Sequence, residues 1–119
     1  MNINEDTLAT TIEKIIEKTP TKELKVLSVK KISNTVNKNE NIIRKIYKKK
    51  RDFNLSKLIF YKKIQKAIIL MERNNDLSIK EISKIIGYEK TEYFCLIIKK
   101  IFGKTPSEIK NKYKKKQVG

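Results

Sequence analysis

The 119-residue sequence contains no histidine, no tryptophan and a single cysteine, Cys95. One cysteine excludes an internal disulfide, and a chain without histidine lacks a common zinc ligand, so we expect no metal site and no cofactor. Glycine and proline are scarce, at 3 and 2 residues. This scarcity favours helices joined by short turns over a fold rich in loops.

Signals for membrane insertion, secretion and catalysis are also missing. No apolar run is long enough to span a bilayer, and the N-terminal residues lack the basic and then apolar order of a secretory signal. We therefore expect a cytoplasmic protein without membrane contact. The sequence has no nucleophile–base pair, no clustered carboxylates and no glycine loop for phosphate, so we expect that it is not an enzyme.

Positive charge is what the chain has in excess. It carries 29 Lys and Arg against 13 Asp and Glu, a net charge of +16. Basic side chains that neutralise phosphates release condensed counterions, so a nucleic acid is the expected partner. An AT-rich coding sequence would also enrich Lys, Asn and Ile whatever the function, so charge alone does not decide.

A short pattern occurs twice, fifty positions apart. Residues 27–33 read LSVKKIS and residues 77–83 read LSIKEIS. Further along, Val36-Asn37 in the first copy corresponds to Ile86-Gly87 in the second. After one inserted residue, residues 43–49 correspond to residues 94–100. Each copy has the order of a helix-turn-helix: a serine N-cap, an apolar stripe, and Asn or Gly where a left-handed turn is needed.

Apolar spacing predicts an all-α fold of seven helices, with two helix-turn-helix units joined by a long linker helix. The predicted helices cover residues 5–18, 28–36, 40–50, 55–74, 78–86, 91–101 and 106–113. The corresponding segments are an N-terminal helix packed on the first unit (1–23), the first unit (24–54), the linker (55–74), the second unit (75–104), and a C-terminal helix with a basic tail (105–119). A linker of about 20 residues would be about 30 Å long, close to one turn of B-DNA.

The second helix of each unit is the predicted reading helix, since that helix enters the major groove in helix-turn-helix proteins. We expect Ile42, Ile43, Ile46 and Tyr47 to be buried in the first unit, and Phe94, Ile97, Ile98 and Ile101 in the second. The predicted base-reading residues are Asn39, Glu40, Asn41, Arg44 and Lys45 in the first unit, and Lys90, Thr91, Glu92 and Cys95 in the second.

The chemistry of these side chains matches base edges. Arg44 can donate to O6 and N7 of guanine, Asn41 can pair with adenine, and Glu92 can accept from the cytosine amine. Thr91 can touch a thymine methyl group. Lys48, Lys49, Lys99 and Lys100 lie toward the helix ends, where we expect phosphate contacts. Alternatives stay open: Asn39 as a helix cap, each lysine as a solvated side chain, and Cys95 as either an oxidant sensor or a small filler.

From residue 27 to residue 113 the chain resembles the DNA-binding module of the AraC/XylS family of bacterial transcription regulators. The resemblance rests on residues 82–88 (ISKIIGY), on Tyr93-Phe94, and on residues 99–108 (KKIFGKTPSE), with Lys63 to Ala67 similar to the start of the linker helix. Five positions depart from the family pattern: Leu96 replaces Arg, Ile98 replaces Phe, Ile109 replaces Tyr, and Asn37 and Asp52 replace Gly.

The resemblance implies a regulator, with both units on one face of a promoter in successive major grooves. The chain is similar to the short members that bind double-stranded DNA as monomers, recruit RNA polymerase and take no small-molecule effector, which implies a nucleoid-associated bacterial activator. Without the family arginine at position 96, we expect the first unit to dominate specificity and the second to rely on phosphates and DNA shape. Two other hypotheses remain: a sequence-tolerant nucleic-acid-binding protein, and a protein-interaction antagonist of a related regulator.

Overall fold

The computed structural model describes residues 4–73 and 76–111, and these residues are helical apart from short connections. The elements are α1 (Glu5–Lys18), a 3-10 helix (Thr21–Val26), α2 (Val29–Val36), α3 (Glu40–Arg51), α4 (Leu55–Arg73), α5 (Ile79–Ile86) and α6 (Thr91–Phe102). A further helix, α7, is described over residues 106–111. The all-α prediction is confirmed.

The chain divides into two compact units, Met1–Lys62 and Lys63–Gly119. The boundary falls inside α4, so the predicted linker helix contributes residues to both units. α1, the 3-10 helix, α2 and α3 lie in the first unit, and α5, α6 and α7 lie in the second. The predicted helix ends near residues 74 and 113, and the basic tail, lie outside the described residues.

The 3-10 helix is the element that the sequence did not predict. It follows Pro20, contains six residues, and buries Leu24 completely. Six residues are too few for a helical hydrophobic period to be recognised, and a single leucine anchors this turn. Counting this element, the described residues contain eight helices rather than the predicted seven.

The two predicted turns are built alike, each after a serine-capped helix that ends on a left-handed residue. Ser28 caps α2 by accepting from the backbone N–H of Lys31, and Ser78 caps α5 in a reciprocal capping box with Glu81. α2 ends at Asn37 with φ 55°, and α5 ends at Gly87 with φ 115°; both conformations are left-handed. The repeat seen in the sequence is therefore a repeat of structure.

A polar cluster joins α1 to α3 in the first unit. The guanidinium of Arg51 donates to Asp6 at 2.8 Å, to Thr10 at 2.9 Å, and to Glu13 at 3.2 Å. The hydroxyl of Tyr47 donates to the same Glu13 carboxylate at 3.0 Å. The Arg51 guanidinium holds the pKa of the Asp6 carboxyl below its usual value. These contacts fix α1 against the C-terminal half of α3.

The second unit is closed by the start of α7. Pro106 is buried, and the backbone N–H of Glu108 donates to the Thr105 hydroxyl at 3.2 Å. The Glu108 carboxylate in turn accepts from the Thr105 hydroxyl. The Lys110 ammonium donates to the backbone carbonyl of Leu77, which ties α7 to the residue before the α5 cap.

Substitutions at the two turns should have opposite effects on stability. Gly87→Ala should lower the free energy of unfolding by about 1–2 kcal/mol, because a Cβ is strained at positive φ. Asn37→Gly should raise it by up to about 1 kcal/mol, because glycine adopts this conformation without strain. Urea denaturation of both variants measures the difference, and a Gly87→Ala variant as stable as the wild type would contradict this account.

The Tyr47 hydroxyl should make stability fall at high pH. Burial and the hydrogen bond to Glu13 raise the pKa of Tyr47 to about 12, above its ordinary 10.0. The folded state therefore holds this proton more tightly, so its contribution is complete below about pH 10 and is lost as pH rises toward about 12. Urea denaturation from about pH 9 to about 11.5 should show a shallower decline for Tyr47→Phe. The matched control Tyr61→Phe, at an exposed ring, should retain the wild-type slope.

Candidate nucleic-acid interface

One pair of buried side chains, four residues apart, orients the second helix of each unit. In α3 the pair is Ile43 and Tyr47, and in α6 it is Phe94 and Ile98; all four are at most 2% exposed. Residues four apart lie on one helix face, so burying such a pair fixes the rotation of the helix. The opposite face of each helix must then point outward.

The outward face of α3 is polar and basic. Its exposed polar residues are Asn41, Lys45, Lys48 and Lys49, with Arg44 at its edge. Two of the isoleucines that we predicted to be buried depart from that prediction: Ile42 is 48% exposed and Ile46 is half-buried. Each residue along a helix turns by about 100°, so the burial of Ile43 carries its neighbour Ile42 away from the core.

The first residues of α3 also form the start of the helix. The side-chain oxygen of Asn39 accepts from the backbone N–H of Asn41 at 2.7 Å, so Asn39 is the N-cap. Glu40 lies half-buried in the first turn, where its negative charge interacts favourably with the positive end of the helix dipole. Asn39 and Glu40 therefore stabilise the start of the helix, and both Asn39 and Asn41 are exposed.

Arg44 is exposed and held in place. Its guanidinium donates to the Ser56 hydroxyl at 2.9 Å, across from α3 to the first turn of α4. Arg44 also borders an open cleft with Ser28, Lys30 and Ser56. The hydrogen bond leaves most of the five guanidinium donors available, because it uses one of them.

A second open cleft lies at the C-terminal side of Arg44, lined by Arg44, Lys45, Lys48, Lys49, Asn54 and Leu55. Lys48 lies 3.8 Å from Asp52, and Lys49 lies 3.3 Å from Glu5. The charged groups of these two pairs are largely solvent-exposed, and exposed ion pairs contribute little to stability. The lysines can therefore exchange these carboxylates for phosphate oxygens at small cost.

α6 presents a different surface. Glu92, Lys99 and Lys100 are exposed, and Thr91 and Cys95 are half-buried. Lys90 precedes the helix as an N-cap without a side-chain hydrogen bond. Leu96 is 67% exposed and Tyr93 is 57% exposed. Two residues that we predicted to be buried depart from that prediction: Ile101 is 41% exposed near the end of the helix, and Ile97 is half-buried.

Within the described residues, no three His, Cys, Asp or Glu side chains are grouped so that they could hold a metal ion. No described helix is both long enough and apolar enough to cross a bilayer. The half-buried Cys95 lies near Glu92, and burial and that carboxylate raise the pKa of its thiol. This environment fits a small filler rather than the reactive thiolate of an oxidant sensor.

Comparison with known proteins identifies relatives, although no family model matches the chain. It is 31% identical over 75 residues to the uncharacterized transcriptional regulatory protein YesN of Bacillus subtilis, covering 62% of this chain and 20% of that protein. It is 30% identical over 84 residues to the Msm operon regulatory protein of Streptococcus mutans, covering 71% of this chain and 30% of that protein. The chain thus spans less than a third of the length of these curated relatives.

Solved structures share this all-helical fold over most of the chain. The C-terminal domain of AraT, a response regulator from Geobacillus stearothermophilus, superposes with a TM-score of 0.74 at 20% identity, covering 88% of this chain and 84% of that chain. A DNA-binding transcriptional dual regulator from Escherichia coli K-12 superposes with a TM-score of 0.68 at 20% identity, covering 97% of this chain and 96% of that chain.

The fold is a double helix-turn-helix of the kind found in AraC-type C-terminal DNA-binding domains. The relatives are AraC-family regulators, so the resemblance seen in the sequence is confirmed.

Cys95 should react slowly with thiol reagents. Its raised pKa keeps the thiol protonated at neutral pH, and the thiolate is the reactive form. Labelling of the folded chain with a maleimide near pH 7 should therefore be slower than labelling of the chain unfolded in urea. Glu92→Gln should speed the folded-state reaction by removing one cause of the raised pKa. Labelling of the folded chain as fast as that of the unfolded chain would contradict this environment.

Proposed function

We propose that the chain binds double-stranded DNA at specific sequences and regulates transcription, acting as an activator. The observation that carries the proposal is the exposed face of α3, where Asn41 and Lys45 lie opposite the buried pair Ile43 and Tyr47 and Arg44 lies exposed at the edge of that face. A helix held in this rotation and bearing these side chains has the form of a major-groove reader.

We propose the following roles for the exposed residues of the two units. Arg44 would donate to guanine O6 and N7 while its bond to Ser56 steadies the guanidinium, and Asn41 would pair with adenine. Lys45 would reach bases or the adjoining phosphate, and Lys48 and Lys49 would contact phosphates. In the second unit, Lys99 and Lys100 would contact phosphates, and Glu92 would accept from cytosine.

The proposal extends to the assembly on a promoter. We propose a monomer whose two units occupy successive major grooves, which contacts RNA polymerase and needs no small-molecule effector. The AraC/XylS resemblance is the support for these features. The net charge of +16 supports DNA as the partner, because each contact between a basic side chain and a phosphate releases counterions and so adds to the binding free energy.

Selection of bound duplexes from a random pool tests the proposal directly. Purified full chain should enrich two short half-sites about one helical turn apart. One enriched half-site would restrict sequence reading to one unit. Binding without enrichment would favour a sequence-tolerant nucleic-acid-binding protein. Absence of binding at low salt would favour a protein-interaction antagonist.

Arg44→Ala should weaken binding by about 1–3 kcal/mol on the selected site and relax the preference at one base pair. Ser56→Ala is the matched control, since it removes the hydrogen bond from Arg44 but keeps the guanidinium. It should lose less affinity and keep the base preference. Lys48→Ala should instead weaken binding to all sequences and lower the salt slope by about 1. Fluorescence anisotropy at several salt concentrations measures all three; an Arg44→Ala loss that is equal on every sequence would overturn the base-reading role.

A further inference from the structure

We propose that Leu96, flanked by Tyr93, reads thymine through its C5-methyl group, so that the second unit recognises sequence by apolar contact. The inference rests on the proposed DNA-binding function. It assigns base reading to a side chain that lacks any hydrogen-bonding group. From the sequence alone, we expected the second unit to rely on phosphate contacts and DNA shape.

Leu96 lies at the centre of the outward face of α6. Starting from the buried pair Phe94 and Ile98, a rotation of about 100° per residue places position 96 opposite the core. Its exposure of 67% agrees with this placement. The repeat equates Leu96 with Lys45, because residues 43–49 correspond to residues 94–100.

The chemistry of leucine selects one target in the major groove. Purine N7, the exocyclic oxygens and the exocyclic amines all require a hydrogen-bonding partner, and only the thymine methyl group is apolar. Apposition of leucine to a polar base edge would leave that edge without a partner and would be unfavourable. Leu96 therefore favours thymine by contact and disfavours the other bases at the same position.

The surroundings of Leu96 fit a duplex as the occupant of this surface. Lys99 and Lys100 follow it by three and four positions, are exposed, and supply positive charge for the phosphates on either side of a groove. Glu92, four positions earlier, is an acceptor suited to the cytosine amine. An apolar residue between a hydrogen-bond acceptor and two lysines matches a base edge bordered by phosphates.

Tyr93 adds a second apolar surface beside Leu96. Its ring is 57% exposed, and its centroid lies 6.0 Å from that of Tyr88, which is itself 5.9 Å from Phe94. The buried Phe94 thus supports Tyr88, and Tyr88 supports Tyr93. A ring held in this way offers contact area with little loss of side-chain freedom on binding.

Uracil substitution provides the test, because uracil pairs like thymine and lacks only the C5-methyl group. On a selected duplex, each thymine of the second half-site is replaced in turn by uracil, and the dissociation constant of the full chain is measured. At one position the wild type should lose about fourfold in affinity, the loss expected for one buried methyl group. Leu96→Ala should bind the thymine and uracil duplexes equally.

Lys45→Ala, at the equivalent position of the first unit, is the matched control. It should weaken binding overall and retain the full thymine-to-uracil difference in the second half-site. If no uracil substitution in the second half-site affects the wild type, or if Leu96→Ala retains the difference, the inference is overturned. Continued sequence preference in the first half-site would then leave the proposed function standing, whereas loss of preference at every position would remove both.

Discussion

The rotation of each second helix about its own axis is the constraint on which the rest of the structure depends. Ile43 with Tyr47, and Phe94 with Ile98, bury one face of α3 and of α6 almost completely. A core is close-packed, so neither helix can turn without opening a cavity or burying a charge. The rotation of each helix therefore sets the direction of every exposed side chain on it, including Lys45 in the first unit and Leu96 in the second.

The fixed rotation of the two helices exposes a different kind of surface in each unit. In the first unit the outward face is basic, and the α1 carboxylates at Asp6 and Glu13 bind Arg51 at the C-terminal end of α3. These contacts stabilise the helix and leave its N-terminal half free for a ligand. In the second unit the outward face is partly apolar, and the aromatic contacts of Tyr88 steady Tyr93. We propose that the first unit presents a hydrogen-bonding surface to DNA and the second an apolar contact surface.

Most of the fold could be predicted from the sequence because its signals are local: serine caps at Ser28 and Ser78, left-handed turns at Asn37 and Gly87, and apolar spacing along each helix. The 3-10 helix could not, since it depends on the burial of one leucine, Leu24.

Periodicity predicted the residues buried in the core of α3 and α6 but overestimated burial at Ile42 and Ile101, where only packing decides how wide the buried stripe is. Leu96 and Tyr93, which we propose as base-contacting residues, were not among the predicted site residues, because prediction from hydrogen-bonding chemistry favours polar side chains. The Arg44–Ser56 contact joins residues twelve apart and has no local signal.

A DNA-cleaving chelate attached to the outward face of α3 gives the most direct test of this account. In a Cys95→Ser background, Lys45→Cys provides one attachment point for an iron chelate, and Glu17→Cys, on an exposed position of α1, provides a matched control. The account predicts strand cleavage confined to the first half-site from position 45 and none from position 17. Equal cleavage from both positions, or cleavage from position 17 alone, would show that a different face of the first unit meets the duplex.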